Sequence, residues 1–226
     1  MKVCIFGDSV TKGIVYDDEK EKYVFLEDSF VHLFQQEQQI GVKNFSKFGC
    51  TTCKGVKILD AHVEELENFD YTVLEFGGND CDYNWKDVSE TPDQNHLPNV
   101  PLKEFVACYK NMLAKIIKSG SKPIMLSLPP LHAPGFFRCI SKGLNKENIL
   151  KFIHEIEFIY RWQELYNTQL FEIAYECHVP IIDIRKEFLQ EKDYETCLCS
   201  DGMHPNKKGH GLILNALHKV MEKEVL

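Results

Sequence analysis

Short apolar runs alternate along the chain with longer amphipathic stretches. Val3-Cys4-Ile5-Phe6 has the length and composition of a buried strand and stops at Gly7. Within 30–39, Phe30, Leu33 and Phe34 recur at helical spacing, with Glu and Gln on the other face. The pattern then predicts a strand over 42–48 ended by Gly49 and a helix over 53–67 striped by Val56, Leu59, Val63 and Leu66. A strand over 71–76 stops at Gly77-Gly78, a helix covers 102–119, and a strand over 123–128 ends at Pro129-Pro130. A long helix over 146–177, a strand over 179–184 and a helix over 207–222 complete the prediction. Strands separated by helix-length segments need crossover connections, which predicts a five-stranded parallel sheet covered on both faces. Two stretches, 81–101 and 129–145, are left as long loops, both after strand C-terminal ends, where open α/β sheets bind ligands.

Composition narrows the class without changing the fold. A length of 226 residues suits one domain spanning 1–226, and 44% hydrophobic with 27% charged residues excludes a disordered or collagen-like chain. The net charge of −8 argues against a nucleic-acid partner, since phosphate contacts need clustered Lys and Arg. No apolar run reaches membrane-spanning length, and MKVCIFGDS turns polar too early for a signal peptide. Nine cysteines, an odd count, read as reduced thiols in a cytoplasmic protein. Cys50-x-x-Cys53 and Cys197-x-Cys199 lie far apart and make a poor chelate, so no metal and no cofactor is expected. Oligomeric state is not legible.

Three segments at predicted element ends carry unusual polar residues. Gly7-Asp8-Ser9 follows the first strand, where free backbone N–H groups and a helix dipole can stabilise negative charge at a serine. A phosphate loop fails there, because Lys12-Gly13-Ile14 reverses the required order and lacks the hydroxyl. Gly77-Gly78-Asn79-Asp80 offers close backbone approach and an amide donor, although the same residues also make ordinary turns. In Asp201-Gly202-Met203-His204 a carboxylate precedes a histidine by three residues and can hold its ring N–H, freeing the other nitrogen as a base. Pro205-Asn206 then reads as the entry and cap of the last helix. A serine nucleophile needs a base, the base an orienting carboxylate and the oxyanion its donors; Ser9, His204, Asp201 and Asn79 fill those roles.

On these residues the chain resembles the SGNH hydrolases, also called the GDSL esterase/lipase family. The resemblance rests on Phe6-Gly7-Asp8-Ser9-Val10, the lone Gly49 after strand two, Gly77-Gly78-Asn79-Asp80 and Asp201-x-x-His204, in the family's order across most of the chain. It implies a three-layer, flavodoxin-like α/β/α fold, with Ser9 as nucleophile, His204 as base and Asp201 orienting it. It also implies an oxyanion hole from the Ser9 and Gly49 N–H groups and the Asn79 amide. Val10 stands where the family name has Leu. Glu75 is a larger departure: a carboxylate at an expected apolar strand position, with pairing to a cation and facing the crevice both open.

The implied reaction is ester hydrolysis through an acyl-enzyme, which leaves the substrate undetermined. Candidate substrate contacts are Asp8 and Asp80 beside the motifs, Tyr83 and Trp85 in one loop, and Phe136, Phe137 and Arg138 in the other. Aromatic walls suit sugar rings and acyl chains alike, and Arg138 suits an anionic group. The lack of a long apolar face favours a short acyl group, acetyl on a carbohydrate or another small alcohol. The alternatives are a lysophospholipase or thioesterase, or a domain that binds an ester or glycan without turning it over.

Overall fold

The computed structural model describes residues 1–222. Strand β1 (Lys2–Gly7) leads through the single-turn helix α1 (Ser9–Lys12) into a hairpin, β2 (Ile14–Asp17) and β3 (Lys22–Phe25), and then α2 (Phe30–Gln38). Next come β4 (Gly41–Asn44), α3 (Thr52–Ala61), β5 (Tyr71–Glu75), α4 (Trp85–Glu90), α5 (Leu102–Ser119) and β6 (Lys122–Leu126). The chain continues through α6 (Ala133–Ile140), α7 (Lys146–Ile153), α8 (Glu157–Cys177), β7 (Ile181–Ile182), α9 (Arg185–Leu189) and α10 (Lys207–Met221).

Five strands pair in parallel in the order β4-β1-β5-β6-β7, so β1 sits inside the sheet between β4 and β5. The alternation of β1 explains the layering. Cys4 and Phe6 face a core shared with α3, α5 and α8, while Ile5 faces one shared with α2, α9 and α10. Burial of each large side chain, such as Phe6 or Leu74, contributes roughly 1.5–3 kcal/mol. The sheet therefore has helices on both faces, the three-layer α/β/α arrangement.

A third apolar cluster caps the C-terminal end of the sheet. It joins Tyr83, Trp85 and Val88 with Leu131, Phe136, Phe137, Ile149, Ile153 and Ile159. The two segments expected as loops are thus partly helical, as α4 and α6, because their aromatic residues are buried against each other and against α7 and α8. The helix expected over 146–177 is broken. His154 takes φ 63° and its N–H closes α7 on the Leu150 carbonyl at 2.8 Å, after which α8 starts afresh at Glu157. The hairpin was not expected; its strands are short and only partly buried.

Strand two is shorter than expected over 42–48, but its last residues keep their course. Phe45 N–H donates to the Ile5 carbonyl at 2.8 Å and Lys47 N–H to that of Gly7 at 3.1 Å. That pairing carries Gly49 to the end of β1.

Candidate active site

Three strand ends and one loop converge at the C-terminal edge of the sheet, where the strand order reverses beside β1. Gly7 ends β1 in a crowded corner: a Cβ there would lie 2.2 Å from Thr11 Oγ1 and 2.8 Å from the Glu75 carbonyl. Asp8 caps the turn that follows, its Oδ1 accepting from Val10 N–H at 2.9 Å. Ser9 is thereby the first residue of α1. A helix of four residues has little macrodipole, so the expected dipole effect is small here; the free N–H groups of the first turn remain. Thr11 and Ser46 hydroxyls meet at 2.9 Å, and the Asn44 amide donates to the Thr11 carbonyl at 2.7 Å, tying α1 to the end of β4.

His204 reaches Ser9 from the other end of the chain. Its Nε2 lies 2.8 Å from Ser9 Oγ, and its Nδ1 lies 2.6 Å from Asp201 Oδ2. The second oxygen of Asp201 accepts from the N–H groups of Met203 and His204, at 3.0 and 3.1 Å. One carboxylate thus orients the ring and folds the loop that bears it. Burial pushes the Asp201 carboxyl up, but the hydrogen bond and charge of His204 and the two N–H groups together hold it below its ordinary value. Asn206 begins α10, its side chain accepting from Lys208 and Gly209 N–H. Ser9, Asp201 and His204 are all buried.

Around this chain of three lie the other residues singled out by sequence. Asn79 Nδ2 donates to Asp8 Oδ2 at 3.0 Å, which aims the amide beside Ser9. Gly49 has φ 66°, and its N–H forms no hydrogen bond among the described residues. The arrangement can deprotonate a hydroxyl, hold the resulting imidazolium, and offer N–H donors to a developing oxyanion.

The chain matches the GDSL-like Lipase/Acylhydrolase family over residues 5–212. The chain belongs to the GDSL-like lipase/acylhydrolase family. It is 27% identical over 157 residues to the isoamyl acetate-hydrolyzing esterase 1 homolog of Bos taurus, a match covering 66% of this chain and 55% of the bovine protein. The chain thus spans about half the length of that curated relative. Its fold is similar to the crystal structure of the lipase/acylhydrolase from Enterococcus faecalis, with TM-score 0.65, 20% identity, and 98% and 96% of the two chains covered. It is also similar to the psychrotrophic esterase EstA from Pseudoalteromonas sp., with TM-score 0.63, 16% identity, and 99% and 98% covered.

In this GDSL-family chain a narrow cleft with about 20 Å³ of free volume lies beside the loops that carry Asn79 and His204. Gly78 and Met203, the neighbours of Asn79 and His204, line it together with Tyr83, Trp85, Phe136 and Trp162. Tyr83, Trp85 and Phe136 are themselves buried in the capping cluster and wall the cleft from within it. Phe137, packed in the same cluster, does not line the cleft, and Arg138 is exposed on α6. Asp80 is turned away: fully buried, it accepts from the Thr52 N–H at 2.9 Å and from the Thr52 hydroxyl at the start of α3. Burial pushes its carboxyl up to about 7.

Sequence reading missed Tyr23 and Phe48, whose rings lie against His204, because the hairpin carrying Tyr23 was not foreseen. Burial and then the nearby Asp201 push the Tyr23 phenol up, so it stays neutral.

The cysteines beside the site are poor nucleophiles. Burial pushes the Cys50 thiol up to about 11 and raises Cys81 as well. Cys53 does not turn towards Cys50; its sulfur lies 3.2 Å from that of Cys108. Among the described residues no three His, Cys, Asp or Glu side chains are grouped to hold a metal, and no helix is long and apolar enough to cross a membrane.

Proposed function

We propose that this chain is a serine esterase that cleaves short-chain carboxylic esters, with acetate esters of small apolar alcohols as the favoured class. The observation that carries the reading is the unbroken hydrogen-bonded series Ser9–His204–Asp201, with contacts of 2.8 and 2.6 Å. Ser9 Oγ attacks the ester carbonyl while His204 Nε2 takes its proton, and Asp201 stabilises the imidazolium. The N–H groups of Ser9 and Gly49 and the Asn79 amide receive the oxyanion. His204 then protonates the leaving alcohol, and water, activated by the same imidazole, releases the acid.

The substrate class rests on the cleft. Its lining is aromatic and aliphatic, with Asp82 and Gln163 the main polar side chains, and Asp82 is occupied by the Trp85 indole N–H at 2.7 Å. That suits a small apolar group better than a sugar. The bovine relative is named for isoamyl acetate hydrolysis, which agrees with a short acyl group on a branched alkyl alcohol. We further take residues 1–226 as one catalytic domain. Free thiols throughout suit a reducing compartment such as the cytoplasm, and the acidic charge suits neither nucleic acid nor polyanionic substrates.

A fluorophosphonate probe tests the nucleophile: wild type should be labelled at Ser9, and Ser9→Ala should not react. Undiminished p-nitrophenyl acetate hydrolysis in both Ser9→Ala and His204→Ala would sink the mechanism. A panel of isoamyl acetate, acetylated sugars, octanoyl esters and acyl-CoA thioesters tests the substrate. A preference for octanoyl esters or thioesters turns the assignment to a lysophospholipase or thioesterase. Binding without turnover makes it a non-catalytic domain.

A further inference from the structure

Three carboxyl groups meet beneath the site. Glu75 ends β5, Asp8 follows β1 and Asp80 follows the Gly77-Gly78 turn; Glu75 and Asp80 are fully buried and Asp8 is nearly so. None of the three is balanced by a neighbouring Lys or Arg among the described residues. Two of them have donors. Asp80 is satisfied on one oxygen by Thr52, and Asp8 accepts from Val10 N–H at 2.9 Å and Asn79 Nδ2 at 3.0 Å. Glu75 has the least: only the Asp8 backbone N–H approaches its carboxyl, and neither oxygen has a well-formed hydrogen bond.

What faces Glu75 instead is the carboxyl of Asp8, because the β1–β5 register sets Gly7 opposite Glu75 and brings the two side chains together. The other elements around the pair offer it no proton. From α5 the Tyr109 hydroxyl is already committed, donating to the Phe76 carbonyl at 3.0 Å and accepting its N–H at 2.9 Å. Asp80 adds negative charge, Cys50 near Asp8 is a neutral thiol, and His204 near Asp8 is engaged with Ser9 and Asp201.

Two buried carboxylates in contact without a cation repel strongly, and one proton between them turns the repulsion into a short O–H···O⁻ hydrogen bond. The proton belongs on Glu75, since Asp8 accepts two well-formed hydrogen bonds while Glu75 is approached only by the Asp8 backbone N–H. We propose that Glu75 is a neutral acid that donates its proton to the Asp8 carboxylate and, through Asp8, fixes the Asn79 amide in place to receive the oxyanion. Burial and then the Asp8 charge push the Glu75 carboxyl well above its ordinary range, in agreement. Glu75 is thus a positioning residue, acting at second hand on the reacting atoms. Its role rests on the esterase reading above.

The test is a mutant cycle with Asn79. Glu75→Gln keeps an N–H donor towards Asp8 and should stay within about 3-fold of wild type in kcat for p-nitrophenyl acetate. Glu75→Leu removes the donor and should lower kcat by roughly 10- to 100-fold with KM little changed, a part of the ~10²–10³-fold cost of losing an oxyanion donor. In an Asn79→Ala background the same Glu75→Leu change should cost under about 3-fold, because the group it acts through is gone.

Infrared spectroscopy reads the proton without activity or the Leu variant. At mildly alkaline pH, above the value near 7 of Asp80 and near 6 of Asp82, Glu75→Gln should remove one neutral-carboxyl band. The proposal is overturned if Glu75→Gln is as damaged as Glu75→Leu, if Glu75→Leu costs as much without Asn79 as with it, or if the infrared band survives. A wild type inert to esters and fluorophosphonate overturns the esterase reading itself, while the band still reports whether Glu75 is neutral.

Discussion

The ring of Tyr23, carried on a hairpin outside the main sheet, lies 5.1 Å from the imidazole of His204. Phe48, on the turn leading to Gly49, stacks on the same imidazole at 6.2 Å, and the two aromatic rings are 4.9 Å apart. Both remain partly open to solvent, at 39% and 54% exposure, whereas His204 beneath them is buried. In the proposed mechanism the alcohol takes its proton from His204, so these two rings flank the group that releases it.

Replacing either ring should therefore change how the alcohol is held. Tyr23→Ala and Phe48→Ala should each raise KM for p-nitrophenyl acetate by roughly 3- to 10-fold, the equivalent of ~0.5–1.5 kcal/mol of aromatic contact. Ethyl acetate, which has no ring to stack, should be affected much less. An equal loss on both esters would show that the rings support the histidine and do not contact the alcohol.

Asp201→Asn separates orientation from folding. The remaining amide oxygen can still accept from Met203 and His204 N–H, so the melting temperature should change little. The ring, however, loses its anionic partner, and kcat should fall by about 10⁴-fold. A large drop in melting temperature together with a small drop in kcat would reverse the assignment.

Two glycines of left-handed backbone should respond differently to alanine. At Gly49, φ 66°, a Cβ meets nothing within 4 Å, so Gly49→Ala should cost only the ~1–2 kcal/mol of left-handed strain and leave the N–H in place. At Gly202, φ 72°, a Cβ would lie 2.4 Å from the Phe136 nitrogen and 2.6 Å from the His132 carbonyl oxygen. Gly202→Ala must push apart the loop that joins Asp201 to His204. Thermal melts and kcat on both variants should show the second far more damaged in each.

Stability should carry two opposing pH dependences. Burial lowers His210 from 6.5 to about 4, its Nδ1 accepting from Phe30 N–H at 3.3 Å. Its folded value lies below the unfolded one, so protonation favours the unfolded chain, and about 3 kcal/mol is lost as pH falls from 6.5 through 4. His210→Asn, which keeps an acceptor near the Nδ1 position, should flatten that limb of a denaturation-against-pH curve.

Asp80 runs the other way. Its folded value near 7 lies above the ordinary 3.8, so ionisation is penalised in the folded chain and stability falls as pH rises between those values. Asp80→Asn retains an oxygen for Thr52 and should raise the melting temperature at alkaline pH with little change at acid pH. A variant destabilised equally at both would show that Thr52 requires the anion.

The residues of the candidate site were legible in the sequence because they follow strand ends marked by Gly7, Gly49 or Gly77, or show the Asp201-to-His204 spacing before the last helix. The sheet was legible for a related reason: its inner strands are short apolar runs that only burial explains. Elements stabilised by local tertiary contact were not. The hairpin lacks a continuous apolar face, α4 and α6 are helical because their aromatics cap the sheet, and the break at His154 depends on one left-handed residue. Asp80 shows the same limit within the site, since only the approach of α3 reveals that it answers Thr52.

The loop after β5 is clamped by three side-chain hydrogen bonds. Trp162 donates to the Cys81 carbonyl at 2.8 Å, Tyr166 to that of Val100 at 2.8 Å, and Asn99 to that of Asn79 at 3.0 Å, so the Asn79 side of the site is riveted to α8. The cover over His204 is held more lightly, by the Ser200 hydroxyl on Asp18 and an exposed Lys142–Glu21 pair at its turn, and it is a hairpin of four residues per strand, a length that is marginal alone. Heating should therefore open the two halves in sequence. The entrance beside the histidine loosens first, over an oxyanion cradle that stays formed until the whole sheet melts.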